Sequence, residues 1–299
     1  MAAELGRHVS WDYSPMPELA YINGTFCELD QAKVSVEDRG FLFADGVYEV
    51  VVAFGGRCFR LAEHLVRLKN SLDGIGLPFD LQKHRIQEVI QEGVARCGFD
   101  PAMVYLQITR GAAPRRLAYD DGMEPTVVAT FKAKPEVDPA LRARGLSLMT
   151  VPEIRWAHCH IKSVALLPNS MVKNDAVRRG YDDALFVADG DEVREGTASN
   201  VFAVCDGVLV TPPKTGSILH GVTRSHLLEC ARELNVPFAE RRLTVETLMS
   251  AAEVMICSTT VDVIGVTRVN DQPIGDGLVG PATCRLYEQF EMDIAGRCA

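Results

Sequence analysis

The chain has 299 residues, of which 47% are hydrophobic and 24% charged, a balance typical of a globular protein that buries its core without disulfides or a structural metal. Its formal net charge is -9 and its basic residues are dispersed, which argues against a nucleic-acid partner. No apolar run is long enough to span a membrane, and the start MAAELGRHVSWDYSP lacks the apolar segment of a signal peptide.

The first third of the chain alternates strand and helix signals. The segments AYINGTFCEL and VYEVVVAFGGRCFR each contain a turn pair, Asn-Gly or Gly-Gly, between short strands, so both predict β-hairpins. Leucines at helical spacing in LAEHLVRLKNSLDGIG and the pattern of HRIQEVIQEGVARCG then predict two helices. The β-branched runs AMVYLQITRG and PTVVATFKA follow, joined by the loop GAAPRRLAYDDGME.

A short, charged and proline-bearing segment, KPEVDPALRARG, indicates a connector between two lobes. We therefore predict an N-terminal α/β lobe over residues 1–138 and a C-terminal α+β lobe over 139–299. The second lobe shows strand signals in LSLMTV, DALFVADG and EVMICSTT, with helix signals in SMVKNDAVRRG and VTRSHLLECARELN. The sequence predicts an α+β protein of two domains.

The nine cysteines are odd in number and form no C-x-x-C pair, a pattern typical of the reducing cytoplasm. Motifs for phosphate-binding loops, dinucleotide folds, serine hydrolases and zinc proteases are absent. The run His158-Cys159-His160 contains metal-ligating types, but only two of them can share one face of a strand and no distant partner pair is evident. We expect no metal site.

Lys162 stands out because Ile161 and the apolar run from Val164 to Leu167 flank it. Burial disfavours the ammonium form, and a neutral amine is the species that attacks an aldehyde to form a Schiff base. On its own this pattern is weak, because most lysines beside apolar runs extend their amines to water. Glu195, in the turn EGTASNVFAV, is likewise an ordinary solvated residue if it is considered alone.

The order of several motifs changes this interpretation. Five short motifs follow one another in a fixed order between residues 38 and 260: DRGFLFADGVYEVV, IKSVALLPN, EGTASNVF, GVTR and STT. Together they resemble the fold-type IV pyridoxal-phosphate enzymes, and most closely the D-amino-acid aminotransferases, a group that also includes branched-chain aminotransferases and aminodeoxychorismate lyases. The resemblance implies a two-domain α+β fold, pyridoxal 5'-phosphate in the cleft between the domains, and a homodimer.

The resemblance also implies roles for individual residues. Lys162 would bind the cofactor as a Schiff base and then shuttle the α-proton, and Glu195 would face the pyridine nitrogen. Leu219 would pack against the ring, while Tyr48 would offer its hydroxyl to the substrate carboxylate. The phosphate would be bound by a cationic side chain, by backbone amides at a helix start and by hydroxyl groups. These come from Arg67, Val222, Thr223, Ser258 and Thr259.

One segment departs from the family pattern. D-amino-acid aminotransferases hold the substrate carboxylate with an arginine and a histidine two residues apart, and Arg115 matches the arginine while Leu117 replaces the histidine. Arg116 could compensate, the substrate could be bulkier than D-alanine, or the donor could lack an α-carboxylate. We predict transamination from a D-amino acid to a 2-oxo acid, with branched-chain L-amino-acid transamination, (R)-amine transamination and the lyase reaction as alternatives. A scaffold that has lost its chemistry is disfavoured because Lys162 and Glu195 are both present.

Overall fold

The computed structural model describes residues 18–298. The N-terminal segment, for which the sequence predicts no signal peptide, and residue 299 lie outside the described residues. Between residues 18 and 298, no helix is both long and apolar enough to cross a membrane.

The described chain forms fifteen strands and eight α-helices. The strands are β1 Leu19–Ile22, β2 Thr25–Glu28, β3 Gly46–Phe54, β4 Arg57–Cys58, β5 Ala102–Thr109, β6 Thr126–Ala133, β7 Leu146–Pro152, β8 Asp183–Ala188, β9 Glu192–Gly196, β10 Asn200–Cys205, β11 Val208–Thr211, β12 Phe238–Glu240, β13 Glu253–Ser258, β14 Asp262–Val269 and β15 Gln272–Pro273. The helices are α1 Arg39–Phe43, α2 Leu61–Gly74, α3 Ile86–Cys97, α4 Pro139–Arg144, α5 Leu167–Arg178, α6 Val222–Glu233, α7 Val245–Met249 and α8 Pro281–Cys298. A single 3-10 turn covers Leu29–Gln31.

The first six strands form one antiparallel sheet in the order β2-β1-β6-β5-β3-β4. Both predicted hairpins are confirmed, because β1 pairs with β2 and β3 pairs with β4. The predicted helices α2 and α3 bury their apolar faces against this sheet, in a core that includes Leu68, Leu72 and Ile90. Alternation along β5 and β6 places every second side chain in the same core.

The remaining strands form a nine-stranded mixed sheet in the order β12-β11-β10-β13-β14-β7-β8-β9, with β15 paired to β14. Strand β7 is parallel to both of its neighbours, and the crossover from β7 to β8 contains α5. A short helix, α4, occupies the segment that the sequence indicated as a connector, because Asp138 caps it by accepting a hydrogen bond from the Ala140 amide and Pro139 fits its first turn. The division that we propose, at residues 138 and 139, falls between the two sheets.

The edge of β3 holds the segment that follows β7. Strand β3 pairs with β5 along one side, whereas on its other side β4 pairs only with Ala53 and Phe54. The backbone edge at its start, which β4 does not reach, binds residues 162–164: the Tyr48 amide donates to the Lys162 carbonyl (3.0 Å), and the Val164 amide donates to the Gly46 carbonyl (3.1 Å). This pairing attaches the lysine segment to the first sheet.

Candidate active site

A cavity of about 230 Å³ lies where side chains of the two sheets meet. Its walls include the first-sheet strand β3 and helix α2, the loop after β7, and the start of α6. All the residues predicted for the site except Arg115 and Arg116 line this cavity: Tyr48, Arg67, Lys162, Glu195, Leu219, Val222, Thr223, Ser258 and Thr259. Residues separated by more than 200 positions therefore share one site.

Lys162 is held by its backbone, and its amine lies inside the cavity wall. Its amide donates to the Ser71 hydroxyl on α2 (3.1 Å), in addition to the pairing with β3. The Nζ atom is 4.2 Å from the centre of the Tyr48 ring. Burial, together with the positive charge of Arg67, lowers the pKa of Lys162 to about 8, although Glu49 and Glu195 oppose the shift. A larger fraction of the amine is therefore neutral at neutral pH than in a solvated lysine.

Glu195, on β9, is buried and surrounded by donors. Its Oε1 accepts from Arg155 Nη1, and its Oε2 accepts from the Leu219 amide (3.0 Å) and from Asn200 Nδ2 (3.1 Å). Burial raises the pKa of Glu195 to about 7, and the neighbouring Arg155 guanidinium limits the rise. Arg155 also binds Glu153 and lies over the Phe186 ring. Sequence reasoning missed Arg155, because nothing in EIRWAHCH marks it as the partner of a residue 40 positions away.

Arg67 is buried rather than solvated, although its helix face carries other polar residues. Its Nε and Nη2 bind the two carboxylate oxygens of Glu49 on β3 at 2.7 Å each, and Nη1 donates to the His220 carbonyl (3.3 Å). Burial alone would raise the pKa of Glu49, but the charge and hydrogen bonds of Arg67 and the hydrogen bond of His64 lower it to about 2. Glu49 and His64 were not predicted as part of the site; neither lines the cavity, and both contact Arg67.

One end of the cavity presents groups that bind anions. Val222 and Thr223 form the first turn of α6, where backbone amides have no partner within the helix. The hydroxyl-bearing turn of Ser258 and Thr259 follows β13 on the same wall. Gly221 precedes the helix at a close approach, because a Cβ there would lie 2.1 Å from Asn200 Oδ1. The glycine therefore lets the helix start lie directly beside β10.

Arg115 and Arg116 lie outside the cavity of their own chain. Both are exposed: Arg116 pairs with Asp120 within the same loop, and Arg115 lies over the Phe43 ring at 5.4 Å. Leu117 is 82% exposed. The structure does not bring these residues to Lys162 within one chain.

The run His158-Cys159-His160 lies in a turn rather than on the strand that we assumed in weighing a metal site. His160 Nδ1 lies 3.2 Å from the Gly216 carbonyl, and the Cys159 thiol contacts the Trp156 carbonyl. These contacts account for both side chains without a ligand. A turn lets neighbouring side chains point in several directions, so the restriction to two ligands on one face did not apply here.

Comparisons with known proteins identify the family. The family model for amino-transferase class IV matches residues 46–269. The chain is 36% identical over 275 residues to D-alanine aminotransferase of Staphylococcus aureus (strain MSSA476), covering 92% of this chain and 97% of the relative. It is 38% identical over 279 residues to D-alanine aminotransferase of Bacillus licheniformis, with 93% and 97% covered.

Solved structures agree with this assignment. The branched-chain amino acid aminotransferase from Escherichia coli superposes with a TM-score of 0.86 at 25% identity, covering 95% of this chain and 96% of that one. A branched-chain amino acid aminotransferase from T.th., complexed with N-(5'-phosphopyridoxyl)-L-glutamate, superposes with a TM-score of 0.84 at 27% identity and coverage of 94% and 95%. The chain therefore belongs to the class IV aminotransferase family, and it is a pyridoxal-phosphate-dependent aminotransferase of fold type IV.

Proposed function

We propose that this enzyme transfers the amino group of a D-amino acid similar to D-alanine to a 2-oxo acid. We further propose that Lys162 binds the cofactor covalently. The observation that carries the proposal is that Lys162, Arg67 and Glu195 line one cavity. The identity of 36–38% with D-alanine aminotransferases along nearly the full chain supports the choice of donor.

The residues of the cavity fit pyridoxal phosphate by their charges and hydrogen-bonding groups. The start of α6, the guanidinium of Arg67 and the Ser258–Thr259 turn supply donors for a phosphate, and Glu195 supplies a carboxylate for a protonated ring nitrogen.

When bound, the cofactor supplies an electron sink for the substrate α-carbon. The chain's own residues then orient groups and move protons. Once the donor amine has displaced Lys162 from the cofactor, its neutral Nζ would accept a proton from the donor α-carbon and return one to the cofactor carbon that carried the aldehyde, which a lysine with a pKa near 8 does more readily than a solvated one. Glu195, held by Arg155 and Asn200, keeps a proton on the ring nitrogen. Leu219 covers the ring, because its side chain lines the cavity while its amide binds Glu195.

Tyr48 is the group that we assign to the substrate carboxylate. Burial raises the pKa of its hydroxyl to about 12, so the hydroxyl stays protonated and donates hydrogen bonds at every working pH. Its ring stacks on Tyr105 at 5.4 Å, which fixes the direction of the hydroxyl.

We further propose that the enzyme is a homodimer, because Arg115 and Arg116 reach a substrate only if a second copy brings its own cavity to their loop. The exposed apolar side chains of Phe41 (73% exposed) and Leu117 (82% exposed) support such an interface. A cytoplasmic location, also proposed, is supported by nine cysteines that all stand as free thiols.

Branched-chain L-amino-acid transamination is the second candidate. The structural likeness to branched-chain aminotransferases favours it, as does the apolar Leu117 where the D-specific pattern has histidine. An (R)-amine donor or the lyase reaction would also tolerate the loss of that histidine. The lyase differs from every transaminase in its products, because it eliminates pyruvate.

Two measurements test the proposal. Borohydride added to the holoenzyme should fix the cofactor to the peptide that contains Lys162, and an adduct on another lysine would exclude the assigned role. Single-turnover absorbance changes with D-amino acids, L-amino acids and (R)-amines should be fastest for the D series. A clear preference for L-leucine or (R)-phenylethylamine would replace the proposed donor.

A further inference from the structure

The loop of residues 111–124 is fixed through its backbone by a side chain 77 positions earlier. Arg39 Nη1 donates to the Arg116 carbonyl (2.7 Å), and Nη2 donates to the Leu117 carbonyl (3.0 Å). The start of the loop pairs with the same region, because the Arg39 amide donates to the Gly111 carbonyl (2.9 Å). Two successive carbonyls at the tip of the loop are thus bound by one guanidinium.

This guanidinium is itself held rigidly. Arg39 is only 4% exposed, and its Nε binds Asp45 at 2.8 Å. Asp45 also binds Nε of the buried Arg110, whose Nη1 and Nη2 donate to the Gly76 and Ile75 carbonyls at the end of α2. Because α2 also carries Arg67 and Ser71, the chain of contacts connects the loop to the helix that lines the cavity.

The side chains of the loop, in contrast to its backbone, are available. Leu117 is 82% exposed and Arg115 is exposed, while Tyr119 folds back so that its ring covers the Arg110 guanidinium at 3.8 Å. A segment whose carbonyls are fixed and whose side chains face outward presents those side chains in a defined position. A loop that served only as a connection would not need two buried arginines.

We propose that Arg39 is a positioning residue for substrate recognition: through its bonds to the Arg116 and Leu117 carbonyls it sets where Arg115 and Leu117 meet the carboxylate end of the amino donor. The inference rests on the proposed function, in which this loop completes the cavity of a second copy. Arg39 does not line the cavity of its own chain. Its effect on the donor therefore passes through the loop.

Lysine cannot replace Arg39 in this role. Three of the guanidinium nitrogens bind three different acceptors in a planar fork, whereas an ammonium is a single point donor on a flexible stem. Arg39→Lys keeps the charge beside Asp45 and loses at least one carbonyl contact. This variant loosens the loop without leaving Asp45 uncompensated, and it is the appropriate test.

The experiment compares wild-type holoenzyme, Arg39→Lys and the matched control Arg96→Lys, whose arginine forms an exposed pair with Glu92. Trypsin cleavage after Arg115 and Arg116 is followed by mass spectrometry, and kcat and KM are measured with the preferred donor. For Arg39→Lys we expect cleavage at least about fivefold faster and a donor KM about tenfold higher, with kcat within about twofold and an unchanged cofactor absorbance band. The control should match the wild type in every readout.

Three other outcomes for Arg39→Lys overturn the inference. Unchanged cleavage means that Arg39 does not fix the loop, and faster cleavage with an unchanged KM means that the position of the loop does not affect the donor. A loss of the cofactor band or an equal fall in kcat and kcat/KM would place the effect in the cofactor site. A wild-type enzyme that accepts no D-amino acid contradicts the proposed function instead, and the comparison is then made with the donor that it does accept.

Discussion

Arg67 and Glu49 form a bidentate ion pair in the cavity wall, with Nε–Oε1 and Nη2–Oε2 distances of 2.7 Å each. The pair joins α2 to β3, and both side chains are at most 10% exposed. The arginine that we assign to the cofactor phosphate therefore depends on a carboxylate that the substrate and the cofactor need not touch.

The substitution Glu49→Gln should lower the free energy of unfolding of the apoenzyme by about 3 kcal/mol, because it leaves the buried Arg67 without its counter-charge. Urea unfolding measures the change. The double variant Glu49→Gln with Arg67→Met should lose less unfolding free energy than the sum of the losses of the two single variants, by about 1–3 kcal/mol. As a control, Glu92→Gln breaks the exposed pair with Arg96 and should cost no more than about 0.5 kcal/mol. Additive effects would show that the pair is not coupled.

The same pair predicts a dependence on acid. The pKa of Glu49 is about 2 in the folded chain, against 4.5 for a free glutamate side chain. The contribution of ionised Glu49 to the free energy of unfolding is therefore complete above pH 4.5 and is lost as pH falls toward 2. Protonated glutamate resembles glutamine. The difference in unfolding free energy between wild type and Glu49→Gln should therefore shrink as pH falls from 5 to 3 in about half-unit steps. A constant difference over this range would contradict the lowered pKa.

Capture of pyridoxal phosphate by the apoenzyme should speed up with pH. Only the neutral amine of Lys162 reacts, and its pKa is about 8, so the rate should rise by about tenfold per pH unit below 8 and level off above it. Stopped-flow absorbance follows the reaction. The exposed Lys69 provides the control, because Lys69→Arg should leave the dependence of the capture rate on pH unchanged. Lys162→Arg should abolish the absorbance change that reports capture of the cofactor. A rise that continues to pH 10 would indicate a solvated lysine.

Tyr48→Phe keeps the ring beside Lys162 and removes the hydroxyl. If the hydroxyl binds the donor carboxylate, the donor KM should rise by about tenfold while the affinity for pyridoxal phosphate stays within about twofold. The matched control is Tyr105→Phe, because Tyr105 stacks on Tyr48 but directs its hydroxyl to Gln107. An unchanged KM would remove Tyr48 from the carboxylate site.

Leu117→His restores the histidine of the familiar D-specific pattern. Because Leu117 is 82% exposed, the change should cost little stability, and the added donor should raise kcat/KM for D-alanine by about fivefold or more relative to an (R)-amine. Leu278→His, at another exposed leucine, is the control. If the ratio of kcat/KM for D-alanine to kcat/KM for the (R)-amine does not change, the side chain at position 117 does not contact the donor carboxylate.

The elements of this protein follow from local patterns. The turn pairs Asn23-Gly24 and Gly55-Gly56 predict hairpins because few residues adopt positive φ, and the helices follow from apolar side chains at helical spacing. The family followed from the order of short motifs, and the roles that we propose for Lys162 and Glu195 rest on the same motifs.

Tertiary contacts decided the rest, because burial and pairing are properties of residues that are distant in sequence. Arg67 appeared on a polar helix face, and only the approach of β3 makes it half of a buried ion pair with Glu49. Arg155 acquires a role only because β9 folds against its loop. Arg115 and Arg116 were predicted as substrate ligands, yet they lie outside the cavity of the same chain, and Arg39 binds the backbone of their loop. A periodic pattern records which face of an element is apolar, but not which charges meet once that face is buried.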